Sequence, residues 1–381
     1  MPTKHYQFTE MLLNMFKKLL LIGIFIYILI VISFQLTPII QKLFNIELDE
    51  PELGTYTSDE IAFLKTFYLM EGDNNYYSAF KISRENYAIG NLVQSEISTW
   101  RLPLSFYLWN IFAQKGEDIL TIFIIFMFTF FICSYFLLRQ FMPYKFAVLG
   151  PLVLFPYFYD SFRYKTSFLF TEWWGLFFFL IGLVAISYKR TLFASLGFIL
   201  AMLTRELFVI PVICFLIFHV ITKKQSKYLL GSLLVFMSFY FFHWFNVTNI
   251  LAQTDKVDLT VKRIHLYDLF YLHKLLSFSM REYVFLGIKT HYMVLLLGLT
   301  SILFKLILDR KSQLAYWFIA IISLLVFLPS ISVKENDYWG ITFVPLILLS
   351  VPLFLSFSKN DIINIQKLWH VARKKNERHA N

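Results

Sequence analysis

Charge is scarce in this chain: Asp, Glu, Lys and Arg make up 16% of its 381 residues, against 58% hydrophobic ones. A soluble chain of that length has too few polar groups to cover its own surface, so an ordinary soluble globular protein is excluded. Cysteine is scarcer still. Both residues, Cys133 and Cys214, stand inside apolar runs, which argues against a disulfide and excludes a cysteine-type metal centre by count. No set of His and Asp has metal-ligand spacing, so no obligatory metal or other cofactor is expected. Low-complexity stretches and an internal repeat of the inverted-transporter kind are missing too. The first apolar run, 19–36, lacks a small-residue cleavage site and is too long for a secretory signal, so it is expected to stay as a first helix.

What is present is a series of long, nearly uncharged runs, such as 19–36, 119–138 and 341–357, the signature of membrane spans. Mean hydropathy is +0.61. The net charge of +10 comes from basic residues set in pairs between these runs. Membrane orientation explains that placement better than nucleic-acid binding does.

The charges predict a topology. Lys4, Lys17 and Lys18 put residues 1–18 in the cytoplasm, ahead of the first span. An acidic first extracytoplasmic loop follows, covering 37–118 together with a short apolar helix over 102–113. Twelve helical residues reach about 18 Å, short of the ~30 Å hydrocarbon core, so that helix is expected to lie at the outer interface. Residues 192–221 form one helix of about 45 Å or a hairpin. Basic pairs at both ends, Lys189–Arg190 and Lys223–Lys224, favour the hairpin, its tip recessed in a cavity. A second outer segment spans 246–290 and contains a surface helix. The expected fold is an all-α polytopic membrane protein with about ten crossings. The transmembrane domain is 19–358, and 359–381 form a basic cytoplasmic tail. Both termini are then cytoplasmic, in a bacterial or archaeal plasma membrane rather than the endoplasmic reticulum. The sequon Asn246-Val-Thr lies on the outer side but arises easily by chance.

Ionisable groups near membrane depth are costly and mark candidate sites. Asp59 and Glu60 stand in Tyr-Thr-Ser-Asp-Glu-Ile-Ala-Phe, with Asp73 shortly after. A solvated helix start, with Thr57 or Ser58 as cap, accounts for the acids equally well. Arg101 in Trp-Arg-Leu-Pro-Leu either snorkels to headgroups or binds. Arg205 and Glu206, in Leu-Thr-Arg-Glu-Leu at the hairpin tip, read as structural glue or as a guanidinium offered to a phosphate. Asp160, Arg163, Lys165 and Glu172 form a neighbouring outer loop, and Lys334, Glu335 and Asp337 the last one. All are expected on one side of the membrane.

The Asp-Glu of the first loop, the Arg-Leu-Pro-Leu before a short helix and the Thr-Arg-Glu tip together resemble the GT-C glycosyltransferases. Protein O-mannosyltransferases and lipid A aminoarabinose transferases are the nearest in style. The likeness covers about 19–221. This chain has Leu102-Pro103 where the family usually carries a double proline, and Glu172 rather than an Asp ahead of the fourth span. The resemblance implies inverting transfer of a sugar from a polyprenyl-phosphate-linked donor to a glycan, lipid or protein acceptor outside the bilayer. Asp59 would be the base, with Glu60 beside it, and Arg205 the phosphate clamp with Lys165, Arg163 and Lys334 behind it. A lipid-linked saccharide flippase would carry charge through the bilayer rather than gather it on one side. A polysaccharide polymerase or ligase would place its long loop late in the chain.

Overall fold

Runs of Phe, Leu and Ile without interior charge can satisfy their backbone polar groups only within the segment, and helices result. A computed structural model describes residues 59–72, 74–87, 100–163, 166–222, 226–252, 269–278, 291–309, 312–331 and 337–357, with a few isolated positions and short pairs besides. The expected first span at 19–36, apart from Leu19, Ile22 and Gly23, lies outside the described residues, as do Thr57, Ser58, Asp73, Lys165, Lys334, Glu335 and the tail. Asp160, Arg163 and Asp337 are described in backbone only.

The described chain is helical almost throughout. α1 (Asp59–Glu71) and α2 (Tyr76–Tyr87) belong to the first loop, followed by α3 (Leu104–Phe112), α4 (Gly116–Arg139), the one-turn α5 (Tyr144–Ala147) and α6 (Leu149–Arg163). Next come α7 (Thr171–Ser187), α8 (Thr191–Thr204), α9 (Val209–Ile221), α10 (Lys227–Ala252), α11 (Leu269–Ser277), α12 (His291–Asp309), α13 (Ser312–Ile331) and α14 (Val344–Ser350). A two-residue antiparallel ladder, Val284–Phe285 against Ile288–Lys289, is the one pair of strands among the described residues.

Among the described residues α4, α10, α12 and α13 are long and apolar enough to cross a membrane. The other apolar helices are shorter: Tyr144–Phe158, Thr171–Ser187, Thr191–Thr204, Glu206–Ile221 and Val344–Ser356. The long helices turn large apolar side chains outward, among them Phe128 and Ile132 on α4 and Phe239, Phe241 and Phe242 on α10. A soluble monomer rarely exposes so continuous an apolar surface. A lipid bilayer is the environment these faces fit.

Inside, the packing is aromatic. Phe123, Phe126, Phe158, Trp173, Trp174 and Phe177 join α4, α6 and α7 through ring contacts. Where lipid tails are as apolar as the core, such shape fitting replaces the hydrophobic effect as the force between helices. Small residues bring backbones close. A Cβ at Gly197 of α8 would stand 2.7 Å from the backbone nitrogen of Gly182 in α7.

The segment 192–221 is a hairpin. Its helix stops at Arg205, whose backbone is extended (φ −146, ψ 112). Phe198 and Phe215 then meet with ring centroids 5.5 Å apart. One straight helix would separate them by about 25 Å.

Candidate functional site

The site begins with the two loop helices. Asn75 accepts a hydrogen bond from the Ser78 backbone N–H at 2.9 Å and so caps the start of α2. The tight turn before it lays α2 back along α1. Asp59, at the first position of α1, therefore meets Arg84 in the last turn of α2, with Arg84 Nη1 2.5 Å from Asp59 Oδ1. Each charge sits at the helix end whose dipole favours it. Glu60, the next residue along α1, is half-buried.

Arg101 lies in the irregular stretch that leads into α3. It is buried, its guanidinium is 5.9 Å from the centre of the Phe63 ring, and its backbone carbonyl accepts from the Tyr76 phenol. Its Nη2 donates to the Tyr338 hydroxyl at 2.8 Å, and that hydroxyl donates to Asp59 Oδ2 at 3.2 Å. Tyr338 belongs to a 3-10 segment, Asp337–Thr342, and stacks flat on Phe170, centroids 4.3 Å apart and planes 6° apart. The segment can press this close to α11 because residue 340 is glycine: a Cβ there would meet the Leu275 carbonyl oxygen at 2.0 Å.

Phe170 leads directly into α7, and two residues on is Glu172, completely buried. Glu172 Oε1 accepts from Arg205 Nε at 2.6 Å, and Arg205 Nη1 donates to Glu206 Oε1. Trp339 lies against the same guanidinium, with 5.3 Å between Arg205 Cζ and the ring centre. From α10, His243 Nδ1 stands 3.3 Å from the Tyr77 hydroxyl. Several buried polar atoms have no hydrogen-bond partner: Arg205 Nη2, Glu206 Oε2, Arg101 Nε and Trp339 Nε1.

The electrostatics follow from this packing. Burial pushes the Asp59 carboxyl up, but the charges of Arg84 and Arg101, with hydrogen bonds from Arg84 and Tyr338, outweigh it and leave the group below its usual 3.8. Burial also works against the Arg101 charge. The Tyr338 phenol and the Glu172, Glu206 and Asp59 carboxylates overcome it and raise the guanidinium further. The Tyr338 phenol is pushed up by burial above all, so it stays protonated and donating. Among the described residues no three His, Cys, Asp or Glu side chains lie close enough to hold a metal.

Sequence candidates from four separate segments thus converge: Asp59, Arg101, Glu172, Arg205 and Glu206. Arg205 is wholly buried with the expected carboxylate, Glu206, beside it, and it has a second carboxylate, Glu172, from α7. Sequence reasoning missed Arg84, Tyr77, His243, Tyr338 and Trp339. Arg84 was legible only through the α1–α2 turn, which brings its helix end to Asp59. Tyr338 and Trp339 sit next to Asp337, and attention to charged residues alone passed over them. Comparison of the chain with family models, with characterised proteins and with solved structures gives no match in any of the three.

Proposed function

We propose that this chain is an inverting glycosyltransferase of the GT-C kind, moving a sugar from a polyprenyl-phosphate donor to an acceptor at the outer face of a plasma membrane. About ten crossings with both termini cytoplasmic belong to the same reading: the four long and five shorter apolar helices, with the 19–36 run, supply that number. The observation that carries it is the gathering of the Asp59 carboxylate with the buried Arg84, Arg101 and Arg205, drawn from segments that the charge pattern assigns to the outer side.

In this mechanism the acceptor hydroxyl gives its proton to Asp59 as its oxygen bonds to the anomeric carbon. The bond from that carbon to the phosphate oxygen breaks on the opposite face, so the configuration inverts. The phosphate leaves with the bonding electrons, already stable as an anion, and needs cations rather than an acid or an obligatory metal. A carboxylate held below its usual pKa is a weak base. That suits an oxocarbenium-like transition state, in which the leaving group has largely departed before the acceptor loses its proton. Arg101 is best suited to meet the phosphate. Among the described residues its guanidinium has no ion pair with a carboxylate, its one side-chain hydrogen bond goes to a phenol, and its Nε is unpaired. Arg205, with Arg163, Lys165 and Lys334, is the alternative clamp.

The test is Asp59→Asn in purified protein reconstituted with a panel of polyprenyl-phosphate hexoses, reading release of polyprenyl phosphate. Turnover should fall ~10²-fold or more, as for loss of a general base, with the melting temperature held within a few degrees. Glu60→Gln should lose much less. Unchanged turnover in Asp59→Asn removes Asp59 from the mechanism. A wild-type protein that turns over no polyprenyl-phosphate sugar defeats the reading as a whole.

A further inference from the structure

We infer that Arg205, Glu206 and Trp339 bind the sugar ring of the donor, a non-anionic polyol, and do not bind its phosphate. This rests on the glycosyl-transfer reading above.

The Arg205 side chain is wholly buried and already held by two carboxylates, through Nε to Glu172 at 2.6 Å and through Nη1 to Glu206. One positive and two negative charges leave this trio with an excess of one negative. The donor's phosphodiester, a monoanion, placed against it would meet repulsion or have to displace a carboxylate. The unused atoms decide the ligand. Arg205 Nη2 and Trp339 Nε1 are donors without partners, and Glu206 Oε2 is a charged acceptor without one.

These three atoms belong to one patch, since Trp339 lies 5.3 Å from the guanidinium carbon and Glu206 bonds the same guanidinium. An ionised phosphodiester is an acceptor only, and would face Glu206 Oε2 acceptor to acceptor. Neighbouring hydroxyls on a sugar ring each donate and accept, so they satisfy all three atoms at once. Glu206 keeps 27% of its side chain exposed, so the patch borders solvent there, while Oε2, Arg205 Nη2 and Trp339 Nε1 themselves lie buried beneath that edge.

The order along the chain supports the division. Tyr338 faces Asp59 and Arg101, while the next residue, Trp339, faces Arg205. The reacting carbon then falls between two consecutive residues, with proton acceptance and phosphate on one side and the ring hydroxyls on the other.

The experiment measures dissociation constants in nanodiscs for radiolabelled undecaprenyl phosphate and for its glucosyl, mannosyl, galactosyl and N-acetylglucosaminyl esters. Glu206→Gln keeps an oxygen for Arg205 Nη1 and turns the free acceptor into a donor. Trp339→Phe keeps the ring beneath the guanidinium and removes the indole N–H. Wild type should bind at least one ester more tightly than bare undecaprenyl phosphate. Each variant should lose about tenfold on that ester, as for a hydrogen bond involving a charged or buried group, with bare-lipid binding unchanged. Two variants guard against misfolding of either one, and unchanged bare-lipid binding reports a folded protein.

If the variants lose the bare lipid and the ester equally, the trio serves the phosphate, and the inference falls while the glycosyltransferase reading stands. No preference of wild type for any ester likewise overturns the inference. If wild type binds neither lipid phosphate, but binds octyl glycosides in a way that Glu206→Gln weakens, the sugar subsite stands and the polyprenyl-phosphate reading falls.

Discussion

The Tyr338 phenol donates a hydrogen bond to Oδ2 of Asp59 at 3.2 Å, joining residues 279 positions apart in the chain. The same hydroxyl accepts from Arg101 Nη2 at 2.8 Å. One neutral group therefore orients a carboxylate and a guanidinium that do not touch each other.

Tyr338→Phe keeps the stack on Phe170 and removes both hydrogen bonds. Losing a donor to the charged form of Asp59 raises that carboxyl toward its ordinary value of 3.8. The acid limb of kcat should move to higher pH, and kcat at neutral pH should fall roughly tenfold. A pH–rate profile on the reconstituted protein checks both. An acid limb that stays in place would uncouple Tyr338 from the base.

The depressed pKa of Asp59 also has a signature in stability. Its folded value lies below 3.8, so its contribution is complete above that ordinary value and is lost as the pH falls through the folded one. The melting-temperature difference between wild type and Asp59→Asn should stay constant from pH 8 to about pH 5 and shrink below about pH 4. A difference that already closes near neutral pH would mean the carboxyl is not held ionised by Arg84 and Arg101.

Arg205→Met leaves Glu172 buried without its cation. Breaking such a pair on one side costs about 3–5 kcal/mol, whereas replacing both partners by apolar groups costs much less. The double variant Glu172→Met with Arg205→Met should therefore melt above the single Arg205→Met. Identical melting temperatures would show that the two residues are not coupled.

Gly175, one turn after Glu172 in α7, lets the hairpin tip come close. A Cβ there would stand 2.6 Å from the Phe208 ring and 3.1 Å from Arg205 Cβ. Gly175→Ala should cost about 1–3 kcal/mol by overpacking and lower activity by displacing Arg205. Gly231→Ala is the control: nothing lies within 4 Å of its Cβ position in α10, so it should be neutral or slightly stabilising. Thermal unfolding in detergent separates the two.

Topology is open to direct labelling. With Cys133 and Cys214 replaced, single cysteines at the exposed positions Gln114, Arg190 and Thr222 should react differently with a membrane-impermeant thiol reagent. Gln114→Cys should label in intact cells, and the other two only after permeabilisation. Arg190→Cys and Thr222→Cys on opposite sides would contradict a hairpin that returns to its own side of the membrane.

The sequence by itself determined the helical, lipid-facing character of this protein and the position of most of its helices. Long apolar runs without charge have no other stable backbone arrangement in a bilayer. The break at Arg205 was also legible there, because basic pairs bound both ends of an apolar stretch too long for one span. So were Asp59, Arg101, Glu172, Arg205 and Glu206, since charge is rare in this chain and each instance stands out.

Tertiary structure decided which charges pair. Arg84 reaches Asp59 only because α2 folds back along α1, and Tyr338 reaches it only through a segment nearly at the other end of the chain. Arg205 lies beside Glu206 in sequence, yet Glu172 comes to it from 33 residues away. Such pairings depend on how helices pack, and packing of apolar helices is set by the fit of side-chain shapes, including the absent side chains of Gly175, Gly182 and Gly197. Neither charge spacing nor hydrophobic periodicity along the chain carries that information.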